Sequence, residues 1–135
     1  MEFSARVKTT PGANSGVFLH TEYQETGWPT HGYEAQVNST HKDPRKTGSL
    51  YAVKDIMNDA PSTDGQWFDY LIRIEGKTVT ISVDGKVVNQ FTEPGDLAAD
   101  GRFKDRRLGD GTFAIQGHDP KSIIFYRDIR VRVLK

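Results

Sequence analysis

Residues 67–91 read WFDYLIRIEGKTVTISVDGKVVNQF, and this stretch decides the fold class. Val79, Ile81 and Val83 alternate with polar residues, and a period of two is typical of strands with one face on a core. Asp84-Gly85 separates two such runs and favours a type I′ hairpin turn, because both central positions of that turn need a positive φ. The stretch therefore predicts three consecutive strands.

The same period of two recurs along the chain, from Phe3 and Val7 near one end to Ile129 and Val131 near the other. No stretch carries the 3.6-residue stripe of a helix, and many short strands with frequent turns predict an all-β sandwich or barrel. We predict strands at residues 2–8, 14–20, 33–39, 49–54, 67–75, 78–84, 87–91, 112–118 and 122–134. The predicted core includes Phe3, Val7, Val17, Leu19, Ile72, Ile74, Val83, Phe113, Ile115, Ile129 and Val131.

The composition narrows the class of protein. The chain has 135 residues, the length of one domain, with 18 Lys and Arg against 18 Asp and Glu. A net charge of zero argues against a nucleic-acid partner and against a polybasic membrane anchor. The absence of cysteine excludes disulfides, thiolate metal sites and cysteine nucleophiles, and no apolar run approaches the ~18 residues of a membrane span. We predict a single domain over residues 1–135.

Three predicted strands place amide, carboxylate and imidazole groups in rows. Alternation puts Glu34 and Gln36 on one side of their strand, and Gln116 and His118 on one side of another. His20 extends the pattern to a third strand. A solvated convex face would carry Lys, Glu, Thr and Arg instead, so these rows suit a concave face that hydrogen-bonds a polyhydroxylated ligand. The alternative is an ordinary solvent-exposed sheet face that binds no ligand.

Loops and strand ends supply further candidates. Trp28 lies in a loop with glycine and proline, where it could line the mouth of a site or fold back to cap the core. Tyr51 is a second aromatic residue for stacking on a sugar. Lys54 is either a buried group for acid/base work or half of a surface ion pair. We interpret the basic loop 41–46 as a solvated turn, from which His41 could reach a site.

Several catalytic motifs are absent. The chain has no Glu-x-Asp-x-x-Glu run, the paired-carboxylate pattern of laminarinase-like retaining glycosidases that share sandwich folds. It also lacks a Gly-x-Ser-x-Gly elbow, a His-Glu-x-x-His motif and a glycine-rich phosphate loop. The four histidines have no metal-like local spacing, so a metal site would have to be assembled across strands.

The order of motifs along the chain is more specific than any one of them. The succession comprises NSGVF at 14–18, GYEAQV at 32–37, TGSLY at 47–51, GQWF at 65–68, VDGKVV at 83–88, GTFAIQGHD at 111–119 and IFYRDIRV at 124–131. It strongly resembles the 3-keto-disaccharide hydrolase family, from about residue 2 to residue 135. The resemblance implies a concanavalin-like jelly-roll sandwich of two antiparallel sheets in a bacterial protein that is periplasmic or secreted.

The resemblance also implies two departures from the family. We expect this domain to lack the family's usual opening strands and any export signal before Met1. His20 stands where many members have arginine after the Asn-Ser-Gly strand, so we expect ligand contacts there to differ.

The resemblance implies action on glycosides oxidised at C3, with removal of the C2 proton, elimination of the C1 substituent and hydration of the product. By match to the motifs and by strand face, we assign proton transfer to Glu34 and His118 without choosing the base. Gln36 and Gln116 would hold hydroxyls, with His20, Tyr51 and Lys54 as secondary contacts. We assign no cofactor, although a divalent metal could bind where Glu34, His20 and His118 converge. A non-catalytic carbohydrate-binding module is the alternative function.

Overall fold

A computed structural model, describing residues 1–96 and 104–135, has two antiparallel sheets that enclose one core. These residues form eight strands and no helix, so they contain no helix able to cross a membrane. The strands are β1 (Glu2–Thr9), β2 (Ser15–Thr21), β3 (Tyr33–Val37), β4 (Phe68–Glu75), β5 (Thr78–Val83), β6 (Lys86–Thr92), β7 (Thr112–Ile115) and β8 (Ile124–Arg132). One sheet has the order β6-β5-β4-β1-β8 and the other β3-β2-β7, which confirms the all-β sandwich.

The hairpin between β5 and β6 forms at the predicted turn. Asp84 has a φ of 50° and Gly85 a φ of 78°, the positive angles that a type I′ turn needs. Val83 pairs with Lys86 directly across the two-residue loop. The local turn chemistry therefore sets the register of the strands that the alternation predicted.

Inward-facing side chains of both sheets meet in the core. Phe3 and Ile72 from the larger sheet, and Leu19 and Tyr33 from the smaller one, are almost completely buried. Each such side chain contributes about 1.5–3 kcal/mol of transfer free energy when it leaves water. Burial confirms the predicted core at Phe3, Val7, Val17, Leu19, Ile72, Ile74 and Val83.

The predicted core is wrong at the open edge of the sandwich. Ile115, Ile129 and Val131 are 40–45% exposed, although Val131 pairs with the buried Phe3 and faces the same side. They lie on β7 and β8, which are edge strands of their sheets, so they have a neighbouring strand on one side only within the described residues. Phe113 is intermediate, because it is partly exposed but packs its ring 5.3 Å from that of Phe3.

The predicted strand at 49–54 is a turn. Residues 49–51 lie along β3, where Tyr51 N donates to Glu34 O at 2.9 Å, but the chain then reverses. Ala52 has a φ of 60°, and the Leu50 and Lys54 backbones exchange hydrogen bonds of 2.9 Å. The left-handed residue ends the alternation, so Tyr51 and Lys54 do not lie on one continuous strand.

Candidate functional site

The smaller sheet carries a cavity of about 330 Å³ on the face opposite the core. Strand alternation separates the two faces of β3: Tyr33, Ala35 and Val37 belong to the core cluster, whereas Glu34 and Gln36 line the cavity. Loops close over this face and bury most of both polar side chains. The cavity is lined by Asn14, Phe18, Trp28, Pro29, Thr30, Glu34, Gln36, Asp43, Tyr51, Arg106, Gln116 and His118.

Five residues predicted for the site lie together around this cavity. They are Glu34 and Gln36 on β3, Tyr51 in the turn after residue 48, and Gln116 and His118 in the segment that follows β7. Their chemical roles stay predictions.

The structure does not bring His20 and Lys54 to the cavity. His20 has a φ of 51° and lies where the pairing of β2 with β7 shifts register, so the alternation that predicted its direction is broken there. Lys54 Nζ donates to Gln90 O at 2.8 Å, on the strand β6 of the other sheet. Among residues 1–96 and 104–135, no group of three or more His, Cys, Asp or Glu side chains has the arrangement of a metal site, so the convergence of Glu34, His20 and His118 is not found.

Glu34 lies directly over Gly16 of the neighbouring strand. A Cβ atom added to Gly16 would collide with Glu34 Oε1 and lie 3.0 Å from its Cγ. The Gln36 amide lies 3.2 Å from Glu34 Oε1 and 3.0 Å from Ser15 O, and these two acceptors identify its nitrogen as the atom facing them. The glycine therefore makes room for the carboxyl group, and the Gln36 amide holds it.

The environment of Glu34 suits proton transfer near neutral pH. The pKa of its carboxyl group is raised to about 7, chiefly by burial; the Arg106 guanidinium lowers this pKa, and the nearby Asp43 carboxylate raises it. A carboxyl group with a pKa near the working pH can both accept and return a proton. The combination of a cavity, a charge partner and a raised pKa is typical of active-site carboxylates.

Replacement of Glu34 by glutamine should stabilise the folded protein above neutral pH. The pKa rises from an ordinary 4.5 to about 7 on folding, so the associated stability is full below pH 4.5 and is lost as pH rises through 7. Keeping the ionised group buried costs up to about 3 kcal/mol of the free energy of unfolding. We expect the free energy of unfolding, measured in urea, to be larger for Glu34→Gln than for wild type at pH 8 and equal to it at pH 4. A difference that is equal at both pH values would contradict this account.

Asp43, which the sequence interpretation left in a solvated turn, lies inside the site. Asn38 organises its loop, because Asn38 Nδ2 donates to Asp43 O at 2.9 Å and to Arg45 O at 2.8 Å. Asp43 Oδ2 in turn accepts a hydrogen bond from Tyr51 Oη at 3.4 Å. Burial and the Asp43 charge raise the pKa of Tyr51, so its hydroxyl remains a hydrogen-bond donor at neutral pH.

Trp28 covers the cavity rather than the core. Its side chain is 46% exposed, and its ring lies 4.5 Å from the His118 ring in an edge-on contact, so the prediction that it could cap the core is wrong. Gln24 fixes the loop: its Nε2 donates to Trp28 O at 2.9 Å, and its Oε1 accepts from Thr30 N at 2.9 Å. Trp28 and His118 therefore form one side of the mouth of the site.

The comparison with known families matches residues 1–132 to the 3-keto-alpha-glucoside-1,2-lyase-like domain. The chain belongs to this family. The match confirms the resemblance carried by the ordered motifs, and it extends over all residues that line the cavity. No curated protein sequence matches the chain.

Two solved structures have the same fold as this chain. Both are named putative glycosyl hydrolase and come from Parabacteroides distasonis ATCC 8503. The first is 22% identical with a TM-score of 0.72, over 98% of this chain and 77% of that chain. The second is 17% identical with a TM-score of 0.74, over 95% of this chain and 69% of that chain. At these identities the likeness establishes the sandwich fold alone.

Proposed function

We propose that this chain cleaves 3-keto-glycosides by removing the C2 proton, eliminating the C1 substituent and hydrating the product. The observation that carries the proposal is the buried Glu34, whose pKa of about 7 suits a base, in a cavity that also holds the Arg106 guanidinium and the His118 imidazole. Family membership supports the substrate class, since the family description refers to a 3-keto-alpha-glucoside-1,2-lyase.

The proposed reaction needs a base, a positive group and an acid. Glu34 takes the C2 proton, and the electron pair of that C–H bond forms an enolate whose negative charge lies on the C3 oxygen. The Arg106 guanidinium stabilises this oxygen. The enolate then restores the C3 carbonyl, the C1–C2 double bond forms, and the bond from C1 to the leaving oxygen breaks as His118 protonates that oxygen. Water finally adds its hydroxyl to C1 and a proton to C2, so one water is consumed in total.

Polar side chains around Glu34 suit the recognition of the sugar. Gln36, Asn14 and Gln116 line the same cavity and carry amides, which can each accept and donate hydrogen bonds to hydroxyls. Phe18 and Trp28 offer apolar surfaces for the ring. In this proposal the Tyr51 hydroxyl leaves its 3.4 Å hydrogen bond to Asp43 when the sugar binds and donates to a sugar oxygen instead.

A direct glycosidase is the second candidate, because Glu34 and Asp43 line one cavity. A glycosidase uses one carboxyl group of raised pKa as acid and an ionised one as nucleophile or base. That mechanism cleaves an unoxidised glycoside and leaves the C2 hydrogen in place, whereas the proposed elimination needs the C3 ketone and exchanges that hydrogen.

Turnover in deuterated water tests the proposal. The purified protein is given a methyl 3-keto-glucoside or the matching unoxidised glucoside, and the products are examined by mass spectrometry and NMR. We expect cleavage of the 3-keto form only, with one deuterium at C2, corrected for exchange of free 3-keto-glucose without protein. Cleavage of the unoxidised glucoside with retained C2 hydrogen would instead identify a glycosidase. Binding without turnover of either compound would identify a carbohydrate-binding module.

Gly16→Ala should lower kcat/KM by about 100-fold, since a shift of roughly 1 Å in a catalytic group has that effect. The added methyl group would occupy the space of the Glu34 carboxyl group and displace it. Gly109→Ala is the matched control, because a Cβ atom there meets no atom within 4 Å. Thermal melting should show that both variants keep their fold. Kinetics should show a loss of activity in Gly16→Ala and none in Gly109→Ala. Activity within twofold of wild type would refute the proposed position of Glu34.

A further inference from the structure

The segment that carries Arg106 lies outside both sheets. Residues 104–111 form no strand, and Arg106 reaches the cavity from this part of the connection between β6 and β7. Strand pairing therefore cannot fix the position of its guanidinium. Leu108, two residues further along the chain, anchors the segment, because its side chain is 7% exposed and belongs to the core cluster.

Both backbone groups of Leu108 bind charged side chains. Leu108 N donates to Glu93 Oε2 at 2.6 Å, and Lys77 Nζ donates to Leu108 O at 3.1 Å. The two side chains also pair with each other, since Lys77 Nζ lies 3.2 Å from Glu93 Oε1. Hydrogen bonds with one ionised partner are roughly twice as strong as neutral ones, so this pair fixes the Leu108 backbone more firmly than neutral partners would.

Glu93 is itself fixed by contacts with both sheets. It follows β6 directly, and its backbone N donates to Lys77 O at 2.8 Å. Tyr33 Oη, from β3 of the smaller sheet, donates to Glu93 Oε2 at 2.8 Å. Burial raises the pKa of the Glu93 carboxyl group, but the hydrogen bonds from Leu108 N, Tyr33 and Lys77 outweigh burial and lower the pKa. The side chain is therefore an ionised acceptor at neutral pH, although only 8% of it is exposed.

We propose that Glu93 and Lys77 are positioning residues, which hold Arg106 in the cavity through the Leu108 backbone. Neither residue lines the cavity, so each acts on the chemistry through Arg106. This role rests on the proposed function, in which the Arg106 guanidinium stabilises the enolate oxygen. The Arg106 charge also lowers the pKa of Glu34 in the free protein, so an arginine released from its place should let that pKa rise.

Titration of Glu34 tests the role of the pair without any substrate. The carboxyl carbon of Glu34 is followed by NMR in protein with 13C-labelled glutamate, and its signal is identified by its loss in Glu34→Gln. We expect Arg106→Gln to raise the pKa of Glu34 by about 1, the lower end of the effect of a neighbouring opposite charge. Glu93→Ala and Lys77→Met should raise the pKa toward the same value, and neither should raise it further when combined with Arg106→Gln.

Lys77→Met is the decisive variant, and Lys86→Met is its matched control. The Lys77 side chain is 59% exposed, so Lys77→Met should fold and keeps the test valid if Glu93→Ala does not. Lys86 is an exposed lysine at the opposite end of β5, and its replacement should leave the pKa of Glu34 unchanged. An unchanged pKa in Lys77→Met would overturn the inference. A fall of the pKa would also overturn it, because the pair would then only keep water away from Glu34.

Kinetics connect the pair to the proposed reaction. Arg106→Gln should lower kcat for methyl 3-keto-glucoside by about 100-fold with little change of KM, because the guanidinium acts on charge that develops in the transition state. Lys77→Met should lower kcat toward the same value, but not in protein that already carries Arg106→Gln. An equal further loss in that protein would overturn the inference. Absence of turnover in wild type would refute the proposed reaction alone, since the titration still decides whether Glu93 and Lys77 position Arg106.

Discussion

Glu34→Gln is expected to lower turnover of methyl 3-keto-glucoside by about 10²–10⁴-fold, the usual contribution of a positioned base. Glutamine keeps the shape of the side chain over Gly16 but cannot accept the C2 proton. The variant should also fail to exchange the C2 hydrogen of the substrate in deuterated water. Turnover within tenfold of wild type, in a variant that still unfolds cooperatively and is no less stable than wild type, would exclude Glu34 as the base.

The pH dependence of kcat/KM shows whether Glu34 acts as a base or as an acid. A base acts as the carboxylate, so kcat/KM should rise with pH through about 7, the pKa of Glu34 in the free protein. The Asp43 charge raises that pKa, so Asp43→Asn should move the rising limb to lower pH. If Glu34 instead acted as a glycosidase acid, activity would fall with pH through the same range.

Strand alternation predicted the fold and the part of the site that lies on β3. A period of two is a local property of the chain, so it correctly assigned Glu34 and Gln36 to the face opposite Tyr33. It failed where single residues leave the extended conformation. His20 and Ala52 adopt positive φ without being glycine, which is uncommon and has no composition signal.

The rest of the site depends on tertiary structure. Asp43 reaches the cavity because Asn38 holds its loop, and Arg106 comes from a connection without any period, so strand alternation indicated neither residue directly. The signal for the loop was Asn38, which shares strand parity with Glu34 and Gln36. The pKa of Glu34 follows from the loops that bury it, which alternation does not describe.

His118→Ala should lower turnover of methyl 3-keto-glucoside by about 10²–10⁴-fold, because an alkoxide leaves poorly without a proton. His118 lines the cavity beside Trp28, and the proposed reaction places the departing oxygen next to its imidazole. A 4-nitrophenyl 3-keto-glucoside should lose less than about tenfold, since its phenolate leaves without protonation. His31→Ala is the matched control, because His31 does not line the cavity.

The exchange of the C2 hydrogen separates the two proton-transfer roles. His118→Ala retains Glu34, so the enolate should still form and return while the leaving group stays attached. Methyl 3-keto-glucoside recovered from this variant in deuterated water should therefore carry deuterium at C2, whereas substrate recovered from Glu34→Gln should not. An equal loss of turnover with methyl and 4-nitrophenyl leaving groups, without deuterium in recovered substrate, would mean that His118 positions the sugar and does not protonate the leaving oxygen.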